Sequence, residues 1–303
     1  MSVTVEITNI SRASLHDGPG IRTVVYFKGC SLKCLWCHNP ETISKNDEIL
    51  YTPIKCIHCG RCIKICPENH KIEGNDMVLL RENCKRCKEC VKNCPTGALA
   101  SSKKQTTVAE VVKELMKDIH YYRQNGGITL SGGECLLQAD ACKEILEECK
   151  KEDIHTAIET ALNVPWGNIE KVLPFCDLFF ADLKILNSKK HKEFTGSENG
   201  LILENLKKLV DSGAKVTVRI PLIPTVNDSE EDIKLFAAFL CDFASRLCGI
   251  EVLRYNNLAE SKYLILGKEF TDFGTPQSDD ELKSFCSRLD TSLKNETTVY
   301  CIL

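Results

Sequence analysis

The chain has 303 residues, 39 Lys and Arg against 42 Asp and Glu for a formal charge of −3, and 19 cysteines. With Lys and Arg never more than two in a row, as at Lys103-Lys104, there is no electrostatic footprint for nucleic acid, and the longest apolar stretch, Leu235 to Cys241, is far too short for a membrane span. The opening MSVTVEITNI lacks the basic start and apolar core of a signal peptide, so the expected compartment is the reducing cytoplasm, where an odd number of cysteines points to metal or reactive chemistry rather than disulfides.

In chain order, the first strand is expected over Thr23 to Phe27, a β-branched apolar run. A cysteine-dense segment follows, and then a helix with apolar residues at Val108, Val111, Val112, Leu115, Ile119 and Tyr122, opened by a Thr107/Glu110 capping box. Strands are expected at Ile128 to Leu130, His155 to Ile158, Leu178 to Leu183, Val216 to Ile220 and Ile250 to Leu253. Helices are expected near Asp140 to Lys150, Gly200 to Ser212, Ser229 to Arg246 and Asp279 to Leu293. Six strands alternating with helices imply parallel strands joined by crossovers, hence an α/β barrel or an open sheet, and six units fit a partial barrel better than eight. The expected organisation is a core split over 1–49 and 103–303, with a small insert over 50–102.

Eleven cysteines lie in the first third and sort by spacing. Cys30, Cys34 and Cys37 form C-x3-C-x2-C. Cys56, Cys59, Cys62 and Cys66 form C-x2-C-x2-C-x3-C before Pro67, and Cys84, Cys87, Cys90 and Cys94 repeat that pattern before Pro95. The doubled pattern matches the bacterial ferredoxin spacing, in which the fourth thiolate of each run serves the other cluster. The expected sets are therefore Cys56, Cys59, Cys62 with Cys94, and Cys84, Cys87, Cys90 with Cys66. Two structural zinc knuckles are the competing reading. The insert carries nine Lys and Arg against five Asp and Glu, an excess that suits either an acidic electron donor or a plain solvated surface. The other eight cysteines show no ligand spacing and read as small buried hydrophobes.

Ligand chemistry in such folds gathers at the carboxyl ends of the strands. Cys30, Cys34 and Cys37 follow the first strand, Gly132-Gly133-Glu134 the second, Glu159-Thr160 ends the third, and Asp182 and Lys184 end the fourth. A four-iron cube on three thiolates leaves one iron open to a ligand, unless a fourth cysteine arrives or zinc sits there instead.

The segment His16-Asp-Gly-Pro-Gly-Ile-Arg-Thr23, with Phe27-Lys-Gly-Cys-Ser-Leu-Lys-Cys-Leu-Trp-Cys-His-Asn-Pro-Glu41, resembles the signature of the radical S-adenosylmethionine enzymes that activate glycyl radical enzymes. The insert resembles that of the larger members of the family. Ser131-Gly-Gly-Glu134, Asp182-Leu-Lys184, Arg219-Ile-Pro221, Asn227-Asp228 and Leu258-Ala-Glu-Ser-Lys262 continue the match almost to the end. The resemblance implies three 4Fe-4S clusters, S-adenosylmethionine chelated at the open iron, a protein partner whose glycine loses a Cα hydrogen, a low-potential electron donor such as flavodoxin or ferredoxin, and anaerobic metabolism.

The same resemblance implies residue roles. Trp36, His38, Gly132, Gly133, Glu134, Glu159, Asp182, Leu183, Lys184 and Asn256 are expected about the cofactor, and Asp17 and Arg219 near it or the incoming glycine loop. Gly133 has no Cβ to block a backbone approach to the methionine amino group. Lys184 reads as a partner of the cofactor carboxylate or of a structural salt bridge between barrel strands. Three positions depart from the family pattern: Asn256 replaces a histidine, Arg254 a proline, and Cys135 the proline after Gly-Gly-Glu. Two other functions share parts of this sequence: a radical enzyme acting on a small molecule or peptide, and a non-catalytic electron carrier, which has no use for an open iron.

Overall fold

The computed structural model describes residues 3–74, 76–82, 84–123 and 125–302. Its strands, in chain order, are β1 (Thr4–Ser14), β2 (Arg22–Phe27), β3 (Ile49–Tyr51), β4 (His70–Glu73), β5 (Asp76–Leu79), β6 (Leu99–Ser101), β7 (Lys104–Thr107), β8 (Gly127–Gly132), β9 (His155–Thr160), β10 (Leu178–Asp182), β11 (Val216–Leu222), β12 (Gly249–Arg254) and β13 (Val299–Ile302). Nine form one sheet in the order β13-β12-β11-β10-β9-β8-β2-β1-β7. From β2 to β13 every pairing is parallel, while β1 runs antiparallel to both β2 and β7.

All six expected strands are present, and the α/β architecture with a central parallel sheet is that of the partial barrel. β1, β7 and β13 extend it. β1 was unreadable because its residues alternate neither cleanly nor apolarly (TVEITNISRAS), and register shifts beside Asn9 and Ser14 break the period. The expected long helix from Val108 ends at Met116, and a separate short turn spans Ile119–Tyr122. Asp118 lies between them because its carboxylate accepts from the Thr23 hydroxyl at 2.8 Å and pairs with Arg12 at 3.4 Å. The helix expected to reach Arg246 stops at Leu240, after which Phe243 turns into the core.

The parallel strands look uniformly apolar, yet they have two faces. Val216, Val218 and Ile220 of β11, and Ile250 and Val252 of β12, pack outward under the helices. Thr217, Arg219 and Pro221, Glu251 and Leu253, and Phe180 and Asp182 line the concave side. The period of two places Glu159, Asp182, Arg219 and Glu251 on the inner surface, whereas Arg254, on the parity of Ile250 and Val252, pairs with Asp279 at the head of an outer helix. Outside, the amphipathic helices Val108–Met116, Ala139–Lys151, Gly200–Asp211, Glu230–Leu240 and Asp279–Ser292 cover the sheet.

Between Ile43 and Lys104 the chain leaves the sheet. β3 and β6 pair antiparallel at the neck, and β4 and β5 form a hairpin. Ile49, Met77, Leu79, Cys90 and Leu99 make a separate apolar cluster, against which Tyr51, Cys56, Cys62, Cys84, Val91 and Cys94 pack. At the neck, the buried Asp47 carboxylate accepts from Ser101 at 2.7 Å and from the Lys103 N–H at 3.1 Å, and lies 2.5 Å from Lys88 Nζ. Lys28 Nζ, fully buried, donates to the Ser102 hydroxyl at 2.9 Å.

Among the described residues, no helix is long and apolar enough to cross a membrane.

Candidate active site and cysteine centres

The loop after β2 carries Cys30, Cys34 and Cys37, and its neck is closed by main-chain bonds. The Gly29 N–H donates to the Thr42 carbonyl at 2.7 Å and the Cys30 N–H to that of Ile43 at 3.0 Å. Its far side is held by the Lys33 and Leu35 N–H groups, which donate to the carbonyls of Thr195 and Phe194 at 2.7 and 3.0 Å. Beneath it opens a cleft of about 980 Å³ along the concave face of the sheet.

Cys30, Cys34 and Cys37 face this cleft, together with Asp17, Trp36, His38, Gly132, Gly133, Glu159, Asp182, Lys184 and Arg219. Burial pushes the Cys30 and Cys37 thiols up to about 12 and raises Cys34 as well. Thiolates at this spot therefore need a strong local positive charge, which iron supplies and to which Lys184 adds. The wall's other cysteine, Cys248, precedes β12 at the opposite rim, a strand length of roughly 17–20 Å away. The donor set is thus three thiols at one end of a cleft large enough for a ligand, which fits an open cluster.

Lys184 is paired. Its Nζ stands 2.8 Å from Asp182 Oδ2, both belonging to the β10 end, so the salt bridge lies within one strand end and not between strands. Arg219 links more. Its Nε donates to Glu251 at 2.6 Å, Nη1 to Glu159, Nη2 to the His16 carbonyl at 3.0 Å, and its plane stacks 3.7 Å over the Phe180 ring. Parallel register explains this, since Arg219 stands directly opposite both Asp182 and Glu251. The Ser131 hydroxyl donates to the other oxygen of Glu159.

Three expected residues, Glu134, Leu183 and Asn256, lie outside the cleft wall. Glu134 is fully buried, and its carboxylate accepts from Thr160 Oγ1 at 2.9 Å, the Ala161 N–H at 2.9 Å and the Leu136 N–H at 3.2 Å. It ties the ends of β8 and β9 together behind the cleft wall. Leu183 is core, with its N–H donating to the Arg219 carbonyl at 2.8 Å. Asn256 lies outside the wall, and its backbone carbonyl accepts from His38 Nε2 at 3.2 Å, which fixes Nδ1 as the ring's acceptor. Trp36, in the cleft wall, is 6% exposed and packs with Phe194, Phe273 and Tyr255. Gly133 also makes a close approach within the chain: a Cβ there would lie 2.1 Å from the Gly29 carbonyl oxygen.

Arg22 and Lys262 were not singled out from the sequence. Arg22 is completely buried; its Nε donates to Thr129 Oγ1 at 2.6 Å and Nη1 to the Pro19 carbonyl at 3.1 Å, while Thr129 Oγ1 donates to the Asp17 carbonyl at 2.7 Å. It is the post on which the His16–Gly20 loop is wound. Lys262 Nζ reaches Asn39 and Glu41, each at 2.8 Å, and braces the far side of the cysteine loop. Both belong to the matched segments; their burial and pairings were not visible there.

In the insert, the two cysteine runs share a backbone course at a spacing of 28 residues. His58 and Gly60 have φ of 54° and 68°, and the equivalent Arg86 and Lys88 have 55° and 65°. Three non-glycine residues in left-handed conformation are strained. Alternation of this kind turns successive N–H groups into a concavity for anionic sulfur. Cys56, Cys59, Cys62 and the sequence-distant Cys94 border one cavity together. Among the described residues no three Cys, His, Asp or Glu side chains are drawn to the spacing of a single ion. Of the remaining eight cysteines, Cys135, Cys142, Cys149 and Cys286 are buried, Cys176 and Cys301 half-buried, and Cys241 and Cys248 exposed.

Comparison with known proteins bears on the same residues. A model of the Radical SAM superfamily matches residues 24–237. The benzylsuccinate synthase activating enzyme of Thauera aromatica is 42% identical over 270 residues, covering 86% of this chain and 82% of that one. The choline trimethylamine-lyase activating enzyme of Oleidesulfovibrio alaskensis is 39% identical over 90% of this chain and 91% of that one. The trans-4-hydroxy-L-proline dehydratase activating enzyme of Clostridioides difficile is 40% identical over 87% and 88%. Among solved structures, a radical SAM methyltransferase from Sphaerobacter thermophilus superposes with a TM-score of 0.55 at 15% identity over 97% of this chain and 76% of that one, a likeness of fold.

Proposed function

We propose, from the premise that the chain belongs to the radical SAM superfamily and is an activating enzyme of a glycyl radical enzyme, that it works with three four-iron clusters, one under the β2 loop and two in the insert. The chemistry supplied by the bound cluster and S-adenosylmethionine is reductive cleavage to a 5′-deoxyadenosyl radical that takes a Cα hydrogen from a glycine of the partner enzyme. The chain's own residues bind, orient and shield.

Cys30, Cys34 and Cys37 would hold the catalytic cluster, and the Gly132-Gly133 turn, Asp182 and Lys184 the cofactor's methionine end. His38, oriented by the Asn256 carbonyl, and Trp36 stand on the cysteine-loop side. The Arg219 lattice joins β9, β11 and β12 across the concave face and grips the His16 carbonyl, so the loop bearing Asp17 is positioned by the same guanidinium that neutralises Glu159 and Glu251. Hydrogen abstraction demands near-contact geometry, and a rigid rim supplies it. The partner's glycine loop enters the cleft beside Asp17 and Leu15, at the exposed end.

For the insert, the observation that carries the reading is the cavity shared by Cys56, Cys59, Cys62 and Cys94. It supports crossed ligation, with Cys84, Cys87, Cys90 and Cys66 as the second set. We assign these clusters to a relay that takes electrons from a low-potential flavodoxin or ferredoxin.

The test is anaerobic reconstitution with iron counting and assay of 5′-deoxyadenosine and partner glycyl radical. Wild type should bind about twelve irons; Cys30→Ala should keep about eight and lose cleavage, whereas Cys94→Ala should also keep about eight but cleave when reduced by dithionite. Only about four irons in wild type would overturn the three-cluster reading.

A further inference from the structure

The insert distributes its charge unevenly. Between Tyr51 and Cys66 stand Lys55, Arg61 and Lys64 and no Asp or Glu. All three are exposed, and none has an ion-pair partner among the described residues. Elsewhere in the insert, Lys71, Lys88 and Lys92 are paired with Glu73, Asp47 and Glu89, while Lys85 and Arg86, exposed and likewise without an ion pair among the described residues, share their run with Glu82 and Glu89. The unpaired stretch also carries exposed apolar side chains, with Ile54 95% and Ile57 63% accessible, and Ile72 adjoins it. Ile57 and Ile72 line the cavity bordered by Cys56, Cys59, Cys62 and Cys94, and Cys59 is itself exposed. One layer of side chains therefore separates that cavity from solvent.

The second cysteine run lies toward the core. Lys88, between Cys87 and Cys90, meets Asp47 at the neck, and Arg81 donates to the Ile265 carbonyl at 2.9 Å. The first run makes no such contact among the described residues. Isolated exposed isoleucines need no explanation, but isoleucines over a redox cavity, ringed by cations without counter-charges, form a patch with a stated complement.

We propose that the Pro53–Ile65 face is the docking surface for an acidic one-electron carrier protein, with Ile54 and Ile57 against the apolar edge of the carrier's cofactor and Lys55, Arg61 and Lys64 against carboxylates around it. This rests on the relay reading above and fixes its direction: electrons enter at the Cys56/Cys59/Cys62/Cys94 set and leave toward the core through the other. One electron passes from the carrier's reduced flavin to the cluster in that cavity; the flavin is oxidised by one electron, the cluster reduced by one, and no bond forms or breaks.

The test uses reconstituted full-length protein, an acidic flavodoxin as probe, and the variant Lys55→Glu/Lys64→Glu, with Arg86→Glu on the other run as control. Stopped-flow reoxidation of the reduced flavodoxin should slow at least about ten-fold in the double variant at low salt, and the steep salt dependence of wild type should flatten. Calorimetric binding of oxidised flavodoxin should weaken in parallel, with Arg86→Glu close to wild type. Dithionite-driven cleavage and glycyl radical formation should be unchanged. Equal reoxidation rates in wild type and double variant overturn the proposal, as does loss of partner activation under dithionite, which would make this the glycyl radical enzyme's own surface. Failure of the relay reading shows separately, as a wild-type iron count without the insert clusters.

Discussion

Arg219 Nε lies 2.6 Å from Glu251 Oε2 across neighbouring parallel strands, and the same guanidinium reaches Glu159 one strand to the other side of β10. One cation thus serves two carboxylates in a nearly closed pocket, with Arg219 only 8% exposed. Arg219→Met would leave both carboxylates without their counter-charge and is expected to destabilise the fold by roughly 3–5 kcal/mol. Adding Glu159→Gln and Glu251→Gln should recover part of that loss. Chemical denaturation of the three proteins checks it; equal stability of wild type and Arg219→Met would show that the lattice contributes nothing.

Glu134 gives a pH dependence. Three donors surround its carboxylate, yet full burial dominates and pushes it up to about 7. An acid whose folded-state value is raised holds its proton in the fold over a range where the unfolded chain has released it. Its contribution is therefore fully present below the ordinary carboxylate value and is lost as pH rises to about 7. The loss is of the order of 3 kcal/mol, at 1.36 kcal/mol per pH unit. Glu134→Gln should remove this slope, so the stability difference between wild type and variant should shift in the variant's favour between pH 5 and 8. Parallel melting curves across that range would refute the assignment.

The legible part of this molecule was its cysteine spacing and the apolar runs of its parallel strands, since both are local. Ligand sets follow from short intervals, and a strand with one face under the helices announces itself by apolar residues at every second place, as Val216, Val218 and Ile220 do. Register is not local, so nothing in the sequence placed Arg219 opposite Glu251, or turned Glu134 away from the cleft to clamp β9. Burial is equally non-local. Arg22 sits inside a recognisable motif, but only the wrapping of His16–Gly20 around it shows that a fully buried guanidinium holds the loop. β7 and β13 escaped because edge strands are short and carry mixed side chains, and β1, paired on both sides, because register shifts break its period.

The neck of the insert offers a third prediction. Burial alone would raise the Asp47 carboxyl, but Lys88 and the hydroxyls of Ser101 and Ser102 outweigh it and hold the group below the usual carboxylate range. A depressed value means stabilisation that is complete above the ordinary carboxylate value and lost as pH falls through the depressed one. Asp47→Asn keeps an acceptor for Ser101 and the Lys103 N–H while removing the charge that Lys88 meets. Limited proteolysis of the anaerobic holoenzyme should cut the insert about five-fold faster in the variant, equivalent to roughly 1 kcal/mol of local opening. The barrel should remain as resistant as in wild type. Unchanged cleavage would place the attachment elsewhere, at Lys28 and Arg81.

Gly133 supplies the last. Its N–H donates to the Phe27 carbonyl at 3.0 Å, and the next N–H, of Glu134, donates to the Gly29 carbonyl at 2.8 Å, so the turn after β8 is laced to the start of the cysteine loop. A methyl group at 133 would meet backbone on two sides, 2.1 Å from the Gly29 oxygen and 3.1 Å from that of Thr42. Neither contact is a flexible side-chain tip, so relief requires the Gly29–Cys30 segment to move, and Cys30 moves with it. Gly133→Ala should therefore fold, since the barrel beneath is packed independently, yet lose iron from the three-cysteine site ahead of the insert. The expected outcome is about a third less iron after reconstitution, with cleavage reduced at least about a hundred-fold, the scale at which a misplacement near 1 Å is felt. A variant with wild-type iron and a raised requirement for S-adenosylmethionine alone would leave Gly133 its cofactor-facing role and remove its part in bracing the cysteine loop.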